Sequence, residues 1–185
     1  MIDDAYKHLV NLWSPIFDDF DKNSVKFAFE IHPSQIAFDY YTSERLLKEF
    51  KNRKTLGFTL NPSHLIWQGV NPCLFIRDFA KHILHVHIKD AAVNLDGKAG
   101  ILGSFLNFGD VRRGWNFRSP GHGDVDFENL IRELNSINYK NPLSVVWEDS
   151  DINKENGVKE ALTFVKNMNF SPSDSAFYNA SDTSA

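Results

Sequence analysis

The stretch Ile83-Leu84-His85-Val86-His87-Ile88-Lys89 (ILHVHIK, residues 83–89) decides the fold class. It is a short apolar run rich in β-branched residues, and it places two histidines two positions apart. In a strand, residues i and i+2 share a face, so His85 and His87 point the same way while Val86 and Ile88 point the other. A strand that is apolar on one face and metal-competent on the other suits a sheet covered by helices on one side.

Working outward, the same rhythm repeats on both sides. Upstream, Val25–Ile31 (VKFAFEI) reads as a strand, followed by the turn-like His32-Pro33-Ser34 and a helix from near Thr42-Ser43-Glu44 to about Asn52. Next come a strand over Thr55–Leu60, a loop carrying Asn61-Pro62-Ser63-His64, and a helix from Asn71-Pro72 to about His82, with Pro where a first helical turn tolerates it. Downstream lies a long Gly- and Arg-rich loop from Asp90 to Gly123, then a helix opening at Asp124-Val125-Asp126-Phe127 and running to about Ile137. A fourth strand, Leu143–Glu148 (LSVVWE), and a helix over about Lys154–Val165 follow. Ala5, Leu9, Leu12, Trp13, Ile16, Phe17 and Phe20 form the stripe of an opening amphipathic helix. From Ser171 the composition turns to Ser, Asp and Ala, which predicts a loose tail over 171–185 after a single unit over 1–170.

Strands alternating with helices predict an α/β fold with a parallel sheet. Four such strands are half of a (β/α)8 TIM barrel, which needs eight strands and about 250 residues against the 185 here. An open doubly wound sheet is the alternative, although no Gly-rich phosphate loop follows any strand.

Composition narrows the function classes. Lys and Arg number 20 against 24 Asp and Glu, which lacks the basic excess that phosphate-backbone binding requires, so nucleic acid is not an expected partner. The lone Cys73 excludes an internal disulfide framework and any thiolate-rich metal site, and points to a reducing, cytoplasmic compartment. No stretch of about eighteen apolar residues predicts a membrane span, and the acidic opening MIDDAYKHLV lacks the features of an export signal.

The expected strands end in polar residues: Glu30, Asn61 with His64 beyond it, His85 with His87, and Glu148. In a parallel barrel those carboxyl ends converge on one face, where active sites sit. Of the two strand histidines, His87 lies nearer that edge and is the ligand candidate, while His85 is expected one layer deeper as a hydrogen-bonded core residue.

The motifs FEIHPSQIAFD, NPSHLIWQGVNP, HVHIKDA, WNFRSPGHGDVDF and VVWEDSD, in that order, resemble the sugar phosphate isomerase/epimerase branch of the xylose-isomerase-like TIM barrels over about residues 20–170. The resemblance implies that only the last four β/α units are present, with an N-terminal half barrel missing or self-association in its place. It also implies a small sugar substrate and a divalent cation (Mn2+, Mg2+, Co2+ or Zn2+) that assists proton abstraction next to a carbonyl through an enediolate. Glu30 and His87 match cation ligands, and Glu30 also matches a catalytic base. His64, Lys89 and Arg118 match substrate-contacting positions. Two positions depart from the pattern. Asn61 stands where the family has an aspartate and remains a weak cation ligand through its neutral amide oxygen, and Val146 stands where it has a glutamate, leaving Glu148, on the same face, as a substitute for both ligand and catalytic group. The implied outcomes are an isomerase or epimerase whose cation affinity is weakened or lost, or a non-catalytic partial barrel keeping a sugar-binding face. An apurinic endonuclease-like enzyme fits less well, for want of a basic surface and a trinuclear ligand set.

Overall fold

A computed structural model describes residues 1–172. A long amphipathic helix, α1 (Ile2–Lys22), leads into a repeating strand and helix pattern. The strands β1 (Phe27–Glu30), β2 (Leu56–Leu60), β3 (Ile83–Ile88) and β6 (Leu143–Val145) form one parallel sheet in that order. Between β3 and β6 a separate antiparallel hairpin is formed by β4 (Asp90–Val93) and β5 (Trp115–Arg118). The helices are α2 (Tyr40–Glu49), the short α3 (Pro62–Ile66), α4 (Pro72–Asp78), α5 (Phe127–Ser136) and α6 (Lys154–Met168).

Capping chemistry sets most helix starts. The Asp39 carboxylate accepts from the Thr42 backbone N–H at 2.9 Å, and the Thr42 hydroxyl accepts in return from the Asp39 N–H at 3.0 Å. This reciprocal cap starts α2 two residues before the expected Thr42 and ends it at Glu49 rather than near Asn52. Asn71 caps α4 through the N–H groups of Cys73 and Leu74, ahead of Pro72 in the first turn. The chain expected as one helix to His82 instead breaks after Asp78 into a short 3-10 turn over Ala80–His82.

The helix-facing side of the sheet is the core. Leu56, Phe58, Leu60, Val86 and Ile88 are all fully buried, and Phe58 packs edge-on against Phe75 and Phe79 with ring centroids 5.7 and 5.5 Å apart. Phase on this sheet is set by one irregularity. Phe58 pairs with Ile83 but Thr59 pairs with His85, so Leu84 is an extra residue in β3. Gly57 makes room for it, since a Cβ there would lie 2.5 Å from the Leu84 Cγ and 2.4 Å from the His82 carbonyl oxygen. Beyond the bulge, His85 and His87 stand on the same face as Glu30 and Thr59.

Three sequence expectations change. The segment after β2 is not all loop, because Pro62–Ile66 coils into α3 and carries His64 with it. The loop from Asp90 to Gly123 contains the β4–β5 hairpin, whose alternating pattern was masked by the surrounding Gly and Arg. The fourth strand ends at Val145, although the Val146 N–H continues its pairing by donating to the Ile88 carbonyl at 3.1 Å. The expected tail over 171–185 lies outside the described residues except for Ser171 and Pro172.

Candidate functional site

Three adjacent parallel strands deliver three polar side chains to one point. One Glu30 carboxylate oxygen, at the end of β1, accepts from the Asn61 amide Nδ2 at 2.9 Å and contacts His87 Nδ1 at 3.2 Å. Asn61 caps the carboxyl end of β2 and His87 lies in the last turn of the pleat on β3. The Ser63 hydroxyl donates to Asn61 Oδ1 at 2.8 Å, which fixes the amide with its NH2 toward Glu30 and its oxygen turned away. The His87 hydrogen bond is the largest of the effects that hold the Glu30 carboxyl at about 2, well below its usual range, and the Asn61 amide adds to it. The side chains of Glu30 and His87 remain 39% and 24% exposed, so the cluster is open to a ligand.

His64 lies beside this cluster on α3. It is buried, its ring stands 4.1 Å from that of His32 and 5.4 Å edge-on to Phe117, and its Nδ1 has no hydrogen-bond partner. Burial lowers its pKa to about 3, with His32 and Lys89 pushing in the same direction and Glu30 opposing. A neutral imidazole with a free ring nitrogen is suited to exchanging one hydrogen bond with a ligand oxygen.

Lys89 adjoins His64 across the Phe117 ring, and the remaining expected site residues pair with acidic side chains. Lys89, the residue after β3, is almost wholly buried, its ammonium 3.1 Å from a Glu148 carboxylate oxygen and 3.6 Å from the centre of the Phe117 ring. Glu148 is itself half-exposed and its ion pair is with Lys89 rather than with His87. Arg118, at the end of β5, reaches Asp151 at 3.2 Å and the buried Asp149 at 3.8 Å. Lys89 and Arg118 thus tie down the segment that follows β6. His85, one pleat deeper than His87, hydrogen-bonds the Ser144 hydroxyl at 2.7 Å, which matches its expected structural role.

Two residues that the sequence reading left without a specific role organise the surroundings. The buried Asp90 carboxylate accepts four backbone N–H groups, from Ala91, Gly121, Gly123 and Val125, and so binds the returning loop to β4. A Cβ at Gly123 would fall 2.3 Å from that carboxylate, which explains the glycine. Trp67 stacks on Trp115 with ring planes 2° apart and centroids at 4.5 Å. Trp115 is packed into this small aromatic cluster, its indole N–H donating to the Ile101 carbonyl. The spacing of either feature carried no signal, because apart from Ala91 their partners lie more than about 30 residues along the chain.

A cleft of about 570 Å3 lies elsewhere, between α4 and α5, lined by residues that include Cys73, Arg77, Asp126 and Glu133. It is lined by none of the converging groups described above. The candidate site is the cluster at the carboxyl ends of β1, β2 and β3, because that is where polar groups from separate strands meet.

A parallel strand and helix repeat with its polar cluster at the carboxyl edge defines a TIM-barrel protein of which four strands are present. The chain belongs to the xylose isomerase-like TIM barrel family, whose model matches residues 2–168. It is 28% identical over 145 residues to the uncharacterized protein YfiH of Bacillus subtilis, covering 76% of this chain and 46% of that one. It is 32% identical over 85 residues to an inosose dehydratase of Clostridium botulinum, covering 46% of this chain and 28% of that one. Among solved structures it is similar to the IolI protein with a binding zinc atom, with a TM-score of 0.67, 20% identity, and coverage of 91% of this chain and 58% of that one. The chain therefore spans half or less of the curated relatives and little more than half of that structure. No helix among the described residues is long and apolar enough to cross a membrane.

Proposed function

We propose that the carboxyl-edge cluster binds a small sugar or cyclic polyol ketone and moves a proton at the carbon next to its carbonyl, the step shared by isomerisation, epimerisation and dehydration. The observation that carries this reading is the meeting of Glu30, Asn61 and His87 from three strands, beside a buried His64 whose Nδ1 lacks a partner. The family and the inosose dehydratase relative support it.

In this reading Glu30 accepts the carbon-bound proton. A carboxylate held at about 2 is a weak base, so substrate oxygens must accept the hydrogen bonds that Asn61 and His87 now donate to it, which frees Glu30 to take the proton. The electron pair left on carbon moves into an enolate, and the proton returns to the other face or the neighbouring carbon, or a β-hydroxyl leaves as water. His64 and Asn61 orient hydroxyl oxygens, and Lys89 and Arg118 flank the site.

A divalent cation fits this donor set poorly. Among the described residues no three His, Cys, Asp or Glu side chains come together to hold a metal ion. Asn61 presents its NH2, Val146 has no donor, and Glu148 is engaged by an ammonium.

Solvent deuterium incorporation tests the reading. The 185-residue chain, incubated in D2O with an inosose or a ketose, is expected to exchange the hydrogen next to the carbonyl, and Glu30→Gln is expected to slow exchange by about a hundredfold or more. Binding of the ketone without exchange in the wild-type chain would instead favour a non-catalytic sugar-binding face, and neither binding nor exchange would contradict both.

A further inference from the structure

We propose that the Lys89 ammonium takes the electrostatic place of a divalent cation in this site, so that Lys89 and not a metal holds the carbonyl oxygen of an α-hydroxy ketone while charge develops on it. The substrate class rests on the proton-transfer reading above, whereas the exclusion of the cation stands independently of it.

Four observations lead there. First, Lys89 follows His85 and His87 at the two-residue period of β3, which puts it on their face one step nearer the carboxyl edge. Second, its side chain is only 5% exposed, and a buried ammonium needs compensation. The compensation found is one carboxylate oxygen of Glu148 at 3.1 Å and the face of Phe117 at 3.6 Å. An ammonium carries three donors, so this leaves capacity for a ligand oxygen. Third, the charges balance against a cation: Glu30 and Glu148 supply two negative charges and Lys89 removes one, whereas a hard divalent ion is usually held by several unshared oxygen ligands. Fourth, both groups that could enlarge the donor set point away or are apolar. The Asn61 oxygen is occupied by Ser63, and Val146 stands on β6's continuation with its N–H given to Ile88.

The chemistry requires no additional reagent. As the base takes the proton from carbon, the carbon–hydrogen electron pair becomes the enolate double bond and the carbonyl π pair moves onto oxygen, where a preorganised positive charge stabilises it. Glu148 orients the ammonium in the free site and yields part of that interaction to the ligand oxygen.

The test is a Mn2+ titration followed by the electron paramagnetic resonance signal of the free ion, on the full chain and on Lys89→Gln and Lys89→Met. The wild-type chain is expected to leave the free signal undiminished up to about millimolar Mn2+. The variants are expected to bind it at least about tenfold more tightly, because Glu148 is released and a repelling charge is gone. Micromolar binding by the wild type, or no gain in the variants, would overturn the proposal. Val146→Glu supplies a second check should the Lys89 variants fail to fold: with Lys89 present it is expected to bind Mn2+ no better than weakly, and tight binding would contradict Lys89 as the competing charge. In the D2O assay, exchange by the wild-type chain is expected to survive a chelator and to fall sharply in Lys89→Gln. Loss of exchange on chelation would overturn the proposal. If the chain exchanges no ketone at all, the substrate reading fails, and the Mn2+ titration still decides whether Lys89 excludes the cation.

Discussion

The two faces of one four-stranded sheet differ in nearly every physical property. The helix-facing side is an aliphatic and aromatic core in which Leu56, Phe58, Leu60, Val86 and Ile88 are sealed from water. The opposite side carries the partly open pairs Glu30 with His87 and His85 with Ser144, beside the buried Thr59. Strand alternation puts both sets on the same backbone, so the division of labour is by residue parity: one face supplies the burial that stabilises the fold, and the other supplies groups whose hydrogen bonds a ligand can replace.

Substitutions should therefore separate cleanly by face. Phe58→Ala is expected to have the largest effect on stability, a loss of about 3–5 kcal/mol in urea denaturation, because it removes a fully buried ring from contact with Phe75 and Phe79. A loss under about 1 kcal/mol there would mean the core is not where the fold is held.

Acid stability comes next. His64 is buried neutral, with its pKa lowered from 6.5 to about 3, so the unfolded chain takes up a proton that the folded chain refuses as pH falls through 6.5. The Glu30 carboxyl is depressed from 4.5 to about 2, so its contribution is present above 4.5 and is lost only below it. Between pH 6.5 and 4.5 the loss assigned to His64 is at most about 2–3 kcal/mol, and His64→Gln should flatten the stability profile across that window. An unchanged slope in the variant would place the acid-sensitive group elsewhere.

The smallest effect on stability is expected at the site itself. Glu30→Gln keeps shape and most hydrogen-bonding capacity but gives up the charge that His87 and Asn61 stabilise, and because solvent screens this partly exposed position, urea denaturation at neutral pH should shift by only about 1–2 kcal/mol. A loss as large as that of Phe58→Ala would show the cluster to be structural.

Much of this arrangement was legible in the sequence because it depends on short-range periodicity. The phase of ILHVHIK correctly separated Val86 and Ile88 from His85 and His87, and Glu30 could be placed at a strand end from VKFAFEI alone. What escaped was set by long-range or backbone-specific effects. The Leu84 bulge depends on space left by Gly57, the hairpin pairs Val93 with Trp115 across a loop of opposing composition, and the Asp90 carboxylate collects N–H groups from more than 30 residues away. The ion pair of Lys89 with Glu148 was likewise invisible, since it crosses from the end of β3 to the segment after β6. The ion pairs of Arg118, a position matched to substrate contact, with Asp149 and Asp151 were equally out of reach of local spacing.

The central claim is that ligand chemistry belongs to the inner face at the carboxyl ends of β1, β2 and β3. The most direct measurement is a 1H–15N NMR titration of the 185-residue chain with an inosose. The account predicts saturable shifts concentrated at Glu30, Asn61, His64, His87 and Lys89, with the helix-facing strand residues unmoved. Shifts centred instead on the cleft at Cys73, Asp126 and Glu133, or no saturable shifts anywhere, would contradict it.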